Sequence, residues 1–394
     1  MFLIPPADLE KRRGRCQPEV EKLRRLNWET VSSCNLCSSR RSVTVSLTDR
    51  YGLPAHTVLC WDCGLFYLAD CFTPESYSQF YSTGAYRSVC SQFNKVSHTI
   101  EQIRADQRNY AQTLGSVLAR HLQGQRTGKL LDVGGSAGIV ASEFVRKFNL
   151  RGTVLDPAEE EIAAAKASGL DAVVGSVEDY DTEETYDLIL LCRSVEHLMD
   201  LRAAFARIRD LLKPGGLFYC DIADFMELCH QVGPPETVAK IDHRYWLTQA
   251  TALNIFGTLG FELVSMDIAF GFGYAGYLLR PCEPTTVTAI PEERVNKLIE
   301  QIHRIQLDWT QFGKTSRGVM ERLRYRAYRA KRLAQCWAAR ATSKDQMPKD
   351  LAETRTPVSN GRPQEAALSM PIVATARGAS PREEHLHPTG ATYR

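Results

Sequence analysis

Leu130-Leu131-Asp132-Val133-Gly134-Gly135-Ser136-Ala137-Gly138 is the stretch on which the fold turns. Lys129–Val133 is a short apolar run of strand length. After the glycines, Val140, Phe144 and Phe148 recur at i, i+4 and i+8, which predicts an amphipathic helix. Glycines at such a strand-to-helix turn let the backbone bend tightly and approach a ligand closely. The helix start also presents N–H groups with no partner inside the helix. A loop built for a pyrophosphate would read GxGxxG. Here Gly134, Ser136 and Gly138 read GxSxG, directly after an aspartate. Asp156 ends the next strand-like run, where a carboxylate can accept hydrogen bonds from both hydroxyls of a ribose. A glycine-rich turn alone marks any strand–helix connection; the loop and the acid together predict nucleotide binding.

Outward from this turn, strand and helix patterns alternate. Residues 99–122 place Ile100, Ile103, Tyr110, Leu114, Val117 and Leu118 at helical spacing. Thr153–Leu155, Asp171–Gly175, Tyr186–Cys192 and Leu217–Ile222 read as further strands, the run Tyr-Asp-Leu-Ile-Leu-Leu-Cys as one buried on both faces. Residues 158–168 and 200–212 read as helices, the second stopping at a turn, Lys213-Pro214-Gly215-Gly216. Alternation at this spacing predicts an α/β fold, a doubly wound, mostly parallel sheet of right-handed βαβ units.

The chain has 394 residues, 44% hydrophobic and 24% charged, ordinary values for a globular protein. It is long enough to bury a core without disulfides. A formal net charge of +2 argues against a chain-wide nucleic-acid polyelectrolyte. No run approaches the roughly 18–20 apolar residues that span a bilayer. The first 15 residues, with charges after a short apolar stretch, do not read as a secretory signal. A cytoplasmic location and reduced or metal-bound cysteines are therefore expected.

Five zones are predicted. Residues 1–30 form a polar, loosely ordered lead-in with a basic cluster at Lys11, Arg12, Arg13 and Arg15. Residues 31–95 hold six of the 12 cysteines. Residues 96–285 carry the strand–helix alternation, and 286–340 a helical extension. Residues 341–394, rich in Pro, Ser, Thr, Ala and Arg without periodicity, read as disordered.

The motifs DVGGSAG, VLDP, GSVEDY, YDLILLCRSVEHL and LLKPGG, in this order, resemble the class I S-adenosylmethionine-dependent methyltransferases over about residues 125–270. The resemblance implies a seven-stranded Rossmann-like sheet and S-adenosylmethionine as cofactor. It implies that Asp132, Gly134, Gly135, Ser136 and Gly138 line the methionine and ribose side. Asp156 would hold the ribose hydroxyls, Ser176 and Val177 would flank the adenine, and the segment Arg193–Glu196 would face the methyl donor. Ser176 stands where many members carry an aspartate that reaches the adenine amine, which leaves that role to backbone groups or Glu178. The cofactor carries a sulfonium and no phosphate, in keeping with Asp132, which a pyrophosphate would repel, and with the lack of a Walker-type lysine.

Cys34-Asn35-Leu36-Cys37 and Cys60-Trp61-Asp62-Cys63-Gly64 form a CxxC–x22–CxxC pattern. Two such knuckles present four thiolates to one tetrahedral zinc, and the alternation of Val43, Val45 and Leu47, with a return at Thr57–Leu59, closes the loop as a β-hairpin. A redox CxxC would instead open a helix after a strand. Four thiolates leave no open coordination position, so the zinc is expected to be structural. The region, together with TVLCWDCGLFYLADCFTPESYSQFYSTGAY, resembles the zinc-binding domain that precedes a subset including the sugar C-methyltransferases. In that subset the segment after the second knuckle reaches the methionine end of the cofactor. This implies a lid role for Phe80, Tyr81, Ser82 and Tyr86; for Phe80, interdomain packing fits equally.

Methyl transfer needs an acceptor held in line with the methyl and, for a weak nucleophile, a base. Two clusters are candidates: Glu196-His197, and Asp242-His243-Arg244-Tyr245. The resembled subset carries a Tyr, an acid and a His in the second segment. Asp242 and His243 match, while the Tyr position falls at Lys240. His243, with an ordinary pKa of about 6.5, is the expected base; the competing role for Asp242-His243 is to cap the following helix.

Residues 317–340 hold eight basic side chains, from Arg317 to Arg340, against Glu321. They read as a solvated helix with one docked face, nucleic-acid binding being a second, less favoured role. The expectation is methyl transfer to a small-molecule acceptor such as a nucleotide-linked sugar; a zinc-module RNA methyltransferase and a non-catalytic scaffold are the alternatives.

Overall fold

The structure, a computed structural model, describes residues 3–95, 100–122, 128–267, 273–287 and 289–311. The basic segment 317–340 and the tail 341–394 lie outside them.

The expected loose lead-in is instead a helix, α1 (Pro6–Leu23). Pro6 sits in the first turn, where a missing N–H costs nothing, and Leu9, Cys16, Val20 and Leu23 are buried. Five short strands follow: β1 (Trp28–Thr30), β2 (Ser42–Ser46), β3 (Thr57–Cys60), β4 (Phe66–Leu68) and β5 (Asp70–Phe72). β1 pairs with β5, and β2, β3 and β4 form the expected antiparallel hairpin and its extension. Then come α2 (Pro74–Ser82), capped by Thr73, α3 (Ala85–Asn94) and α4 (Ile100–Leu118).

The α/β part runs β6 (Gly128–Val133), α5 (Ile139–Phe148), β7 (Leu150–Asp156), α6 (Glu159–Ala167), β8 (Asp171–Val174), β9 (Tyr186–Leu191), α7 (Leu201–Leu211) and β10 (Leu212–Ala223). α8 (Phe225–Val232), α9 (Pro235–Val238), β11 (Tyr245–Trp246), α10 (Gln249–Thr258), β12 (Phe261–Asp267), β13 (Tyr274–Pro281) and α11 (Glu292–Thr310) complete it. The seven-stranded sheet has the order β12-β13-β10-β9-β6-β7-β8, with β6 to β10 parallel and β13 antiparallel to both its neighbours. The predicted mostly parallel sheet is therefore present. Lys213-Pro214-Gly215-Gly216 is not a turn before the fifth strand; it is a bulge within β10, whose register shifts between Leu212 and Leu217.

The central strands β6 and β9 are covered on both faces, which is why they are largely apolar, whereas the edge strands β8 and β12 are mostly exposed. Leu131, Val133, Ile189, Leu191 and Phe218 pack with α7 and α10, while Leu130, Leu188, Leu190 and Tyr219 pack with α4, α5 and α6. A third core joins α1 and the N-terminal strands to Phe225, Val238, Ile241 and Trp246 and to Val295, Leu298 and Ile302 of α11. Residue 95 is thus no structural boundary. β11, from beyond the fifth strand of the large sheet, joins the N-terminal sheet as its fourth strand, with Tyr245 opposite Tyr67 and Trp246 opposite Phe66.

Candidate functional site

The glycine loop lies at the C-terminal end of β6, the edge at which open α/β sheets bind ligands. Gly134, Ser136 and Gly138 all have positive φ (66°, 50° and 74°). A β-carbon on Gly134 would lie 2.7 Å from Ser194 Oγ, and one on Gly138 2.5 Å from Leu170 Cδ1, so both positions admit no side chain. Asp156, at the end of β7, accepts from Ser136 N through Oδ2 and from Ala158 N through Oδ1, both at 2.9 Å. Burial raises its carboxyl above the ordinary range. Ser136 Oγ donates to Glu161 (3.0 Å), which pairs with Arg87 of α3. Helix α3 is thereby tied to the loop.

Asp132 is fully buried, and burial pushes its carboxyl up to about 7. Its Oδ2 accepts from Ala141 N at 3.1 Å; Oδ1 is buried with no partner. Arg193 follows β9 with φ 53°, its N–H donating to Asp221 Oδ1 and its guanidinium 4.4 Å from the Tyr274 ring centroid and 5.0 Å from that of Tyr110. Val177 is buried in the core and Ser176 donates to Asp179. Glu178, an expected candidate for the adenine amine, instead accepts from Met199 N and Asp200 N through Oε1 and fixes the loop after β9.

The two proposed sources of a base are one cluster. His197 Nδ1 lies 3.1 Å from Tyr81 Oη and 3.9 Å from Asp242 Oδ2. The His197 and His243 rings meet edge to face, with centroids 4.6 Å apart. His243 Nε2 is 3.5 Å from Asp242 Oδ2, and Lys240 Nζ is 3.2 Å from the same oxygen. Asp242 Oδ1 and His243 Nδ1 are buried without partners. Burial pushes His197 down to about 4, against the pull of Asp242. Burial and then Lys240 hold His243 well below the ordinary histidine range, so the expectation that it titrates near neutrality is corrected. Burial opposes the Lys240 charge, but Asp242 outweighs it and holds the ammonium above its ordinary range.

Glu196 lies beneath this cluster rather than in it. Its Oε1 accepts from Ala223 N, and burial pushes the carboxyl up to about 7. Asp242-His243 does not cap the next helix: Asp224 Oδ2 takes the N–H of Gln249 at the start of α10. Of the lid residues, Tyr81 reaches His197, while Phe80 is fully buried against Phe72, Tyr81 and Tyr86.

Cys34, Cys37, Cys60 and Cys63 converge, with their sulfurs within 4.8 Å of one another and two pairs at 3.5 Å. A zinc tetrahedron with bonds of about 2.3 Å sets its sulfurs about 3.8 Å apart. The two knuckles repeat one hydrogen-bond pattern. Ser38 N and Gly64 N donate to the carbonyls of Cys34 and Cys60, and Cys34 N and Cys60 N donate to those of Ser39 and Leu65. Ser38 (φ 60°) and Gly64 (φ 75°) are both left-handed, as that turn requires. Cys71, buried in β5, stands apart from the cluster, its thiol pushed by burial up to about 12.

Sequence reading missed Arg50, Asp49 and Asp221. Each is a polar residue inside an otherwise ordinary turn or strand, and its meaning depends on partners more than 25 residues away.

Residues 104–266 match the family described as "Methyltransferase domain". The ubiquinone biosynthesis O-methyltransferase of Bradyrhizobium sp. (strain ORS 278) is 34% identical over 95 residues, 23% of this chain and 37% of that protein. The protein of the same name from Rhizobium leguminosarum bv. trifolii (strain WSM2304) is 31% identical over 157 residues, 38% of this chain and 59% of its own. The chain thus covers less than two thirds of either relative. A crystal structure of an S-adenosylmethionine-dependent methyltransferase from Clostridium acetobutylicum ATCC 824 aligns with 48% of this chain and 99% of its own, at 14% identity and a TM-score of 0.39. Residues 104–266 thus match a methyltransferase domain, and six of the seven strands of the large sheet, all but β13, begin within them.

Proposed function

We propose that the protein transfers the methyl group of S-adenosylmethionine to a small-molecule acceptor, with His243 as the base. The observation that carries this is the placement of Tyr81, His197, Lys240, Asp242 and His243 in one cluster, with Tyr81 on α2 and, on the following helix α3, Arg87 tied through Glu161 to the glycine loop. The residues present fit the cofactor. The loop admits no side chain at Gly134 or Gly138, Asp156 keeps lone pairs for two ribose hydroxyls, and the orphan Oδ1 of Asp132 suits a cationic or N–H donor. When bound, the cofactor supplies an electrophilic methyl on a sulfonium.

The chain's own groups then divide the work. Asp156 and the loop backbone orient the ribose end, and Arg193, at the end of β9, borders the methionine end. His243 is neutral because it is buried, its Nε2 faces Asp242, and its imidazole takes the acceptor's proton. Asp242 favours the imidazolium so formed, and Lys240 limits that gain. The four cysteines hold a structural zinc, with no open position and hence no part in the chemistry. The names of the O-methyltransferase relatives support a small molecule as acceptor. The resemblance to sugar C-methyltransferases supports a sugar, but Lys240, standing where they have Tyr, does not carry over their carbon-methylation chemistry.

The test is to incubate the purified chain and deuterated S-adenosylmethionine with fractionated metabolite extract. The expected result is formation of S-adenosylhomocysteine together with a small product heavier by one labelled methyl. Cofactor binding without transfer would favour a scaffold, and label in RNA a nucleic-acid substrate.

A further inference from the structure

We propose that Arg50 and Lys240 form an anion-binding end of the acceptor site, so that the methyl acceptor carries a carboxylate or phosphate group. This rests on the methyl-transfer reading above and names its substrate class.

Arg50 is only 6% exposed, and its Nε is buried with no partner. Among the described residues its guanidinium makes no hydrogen bond or ion pair. It lies over the Phe93 ring, 4.5 Å from the centroid, and near that of Tyr51 at 5.9 Å. Such stacking fixes the direction of the fork but leaves its charge uncompensated. Burying an unpaired charge is costly, and a stack on Phe93 alone would be served by an uncharged side chain of similar length.

The turn that carries Arg50 is pinned on both sides of Lys240. Arg50 N donates to Ala239 O at 2.8 Å, and Ile241 N donates to Asp49 Oδ2 at 3.1 Å. Lys240 brings a second cation, 15% exposed, facing Asp242 at 3.2 Å. The oxygens of Asp49 are taken by the N–H groups of Tyr51, Leu53 and Ile241. The Arg50 charge is near enough to act on both Lys240 and His243, so two cations stand against the one carboxylate, Asp242, in ion-pair contact, with both histidines neutral. Lys240 and His197 (28% exposed) keep it open to a ligand. An acceptor anion would complete the balance, and a planar guanidinium beside an ammonium suits carboxylate and phosphate alike.

Calorimetry on the full zinc-loaded chain, saturated with S-adenosylhomocysteine, tests this with three probes that share a ring: phenyl phosphate, benzoate and neutral benzamide. At least one anion is expected to bind about tenfold or more tighter than benzamide, and the stronger of the two identifies phosphate or carboxylate as the group. Arg50→Gln and Lys240→Gln should each remove that preference, while Arg50→Lys retains most of it. Affinity for S-adenosylhomocysteine should stay within about twofold throughout, which also certifies that each variant is folded. The proposal falls if neither anion outbinds benzamide, or if the preference survives in either neutral variant. Failure of the wild type to bind S-adenosylhomocysteine would overturn the methyl-transfer reading and this one with it.

Discussion

The backbone N–H of Ile241 donates to Oδ2 of Asp49 at 3.1 Å, across 192 residues of chain. Oδ1 of the same carboxylate accepts from Tyr51 N and Leu53 N, each at 2.9 Å. One side chain thus closes its own turn after β2 and holds the backbone that leads into Asp242 and His243. Asp49→Ala would strand three N–H groups, all on buried residues, and should cost at least about 3 kcal/mol in urea unfolding. Asp49→Asn keeps an acceptor for the local turn and should cost less. An alanine variant of wild-type stability would show that this contact is not maintained in solution.

The four-cysteine cluster should hold one zinc per chain, measurable by elemental analysis. Cys60→Ser leaves three thiolates and should lose the metal. Because β11 pairs with β4, loss of zinc is expected to reach His243 as well as the knuckles. Turnover should therefore fall along with melting temperature. A metal-free chain that is folded and active would refute the assignment.

At the cofactor loop, Gly134→Arg should abolish S-adenosylmethionine binding, since even a β-carbon would meet Ser194 Oγ at 2.7 Å. Asp156→Ala should weaken binding by about 1.5–3 kcal/mol, the value of hydrogen bonds to a charged acceptor. It also frees Ser136 N and Ala158 N, so part of the loss will appear as reduced stability. Unchanged affinity in both variants would displace the cofactor from this loop.

His243→Ala should lower turnover about 10²–10⁴-fold with cofactor affinity nearly intact. Burial depresses the folded pKa of this histidine, so it remains neutral well below its ordinary range. Its acid limb in the pH–rate profile should accordingly lie well below pH 6.5, and the rate should not fall between about pH 8 and 6 on its account. A limb centred near 6.5 that vanishes in the variant would mean the ring is solvated in the working enzyme.

Glu196 gives a stability signature of opposite sign. Its folded pKa of about 7 exceeds the ordinary 4.5, so the native state retains a proton that the unfolded chain has lost. Its contribution to stability is full below about pH 4.5 and declines as the pH rises through 7. Glu196→Gln keeps an acceptor for Ala223 N but cannot ionise. The melting temperature of the variant relative to wild type should rise by several degrees between pH 5 and pH 8. A constant difference would place the carboxyl in contact with water.

Much of this molecule was legible in its sequence because the signals are local. Periodicity and glycine placement revealed β6, α5 and the parallel strands, since a strand buried on both faces must be apolar along its length. The cysteine spacing located both knuckles, because each closes within five residues. The lead-in failed as a prediction because the buried face of α1 is narrow and its other faces carry charge, so its mean composition looks like loop. What only tertiary structure decided is the site's second half. Nothing local to Tyr81, His197 or Lys240 says that they meet around Asp242; the pairing of β11 with β4 and the contact of Asp49 with Ile241 hold the segment that brings them together. The pKa values followed the same division. The sequence supplies a histidine of ordinary basicity, and only burial beside Lys240 makes His243 a base that is neutral far below pH 7.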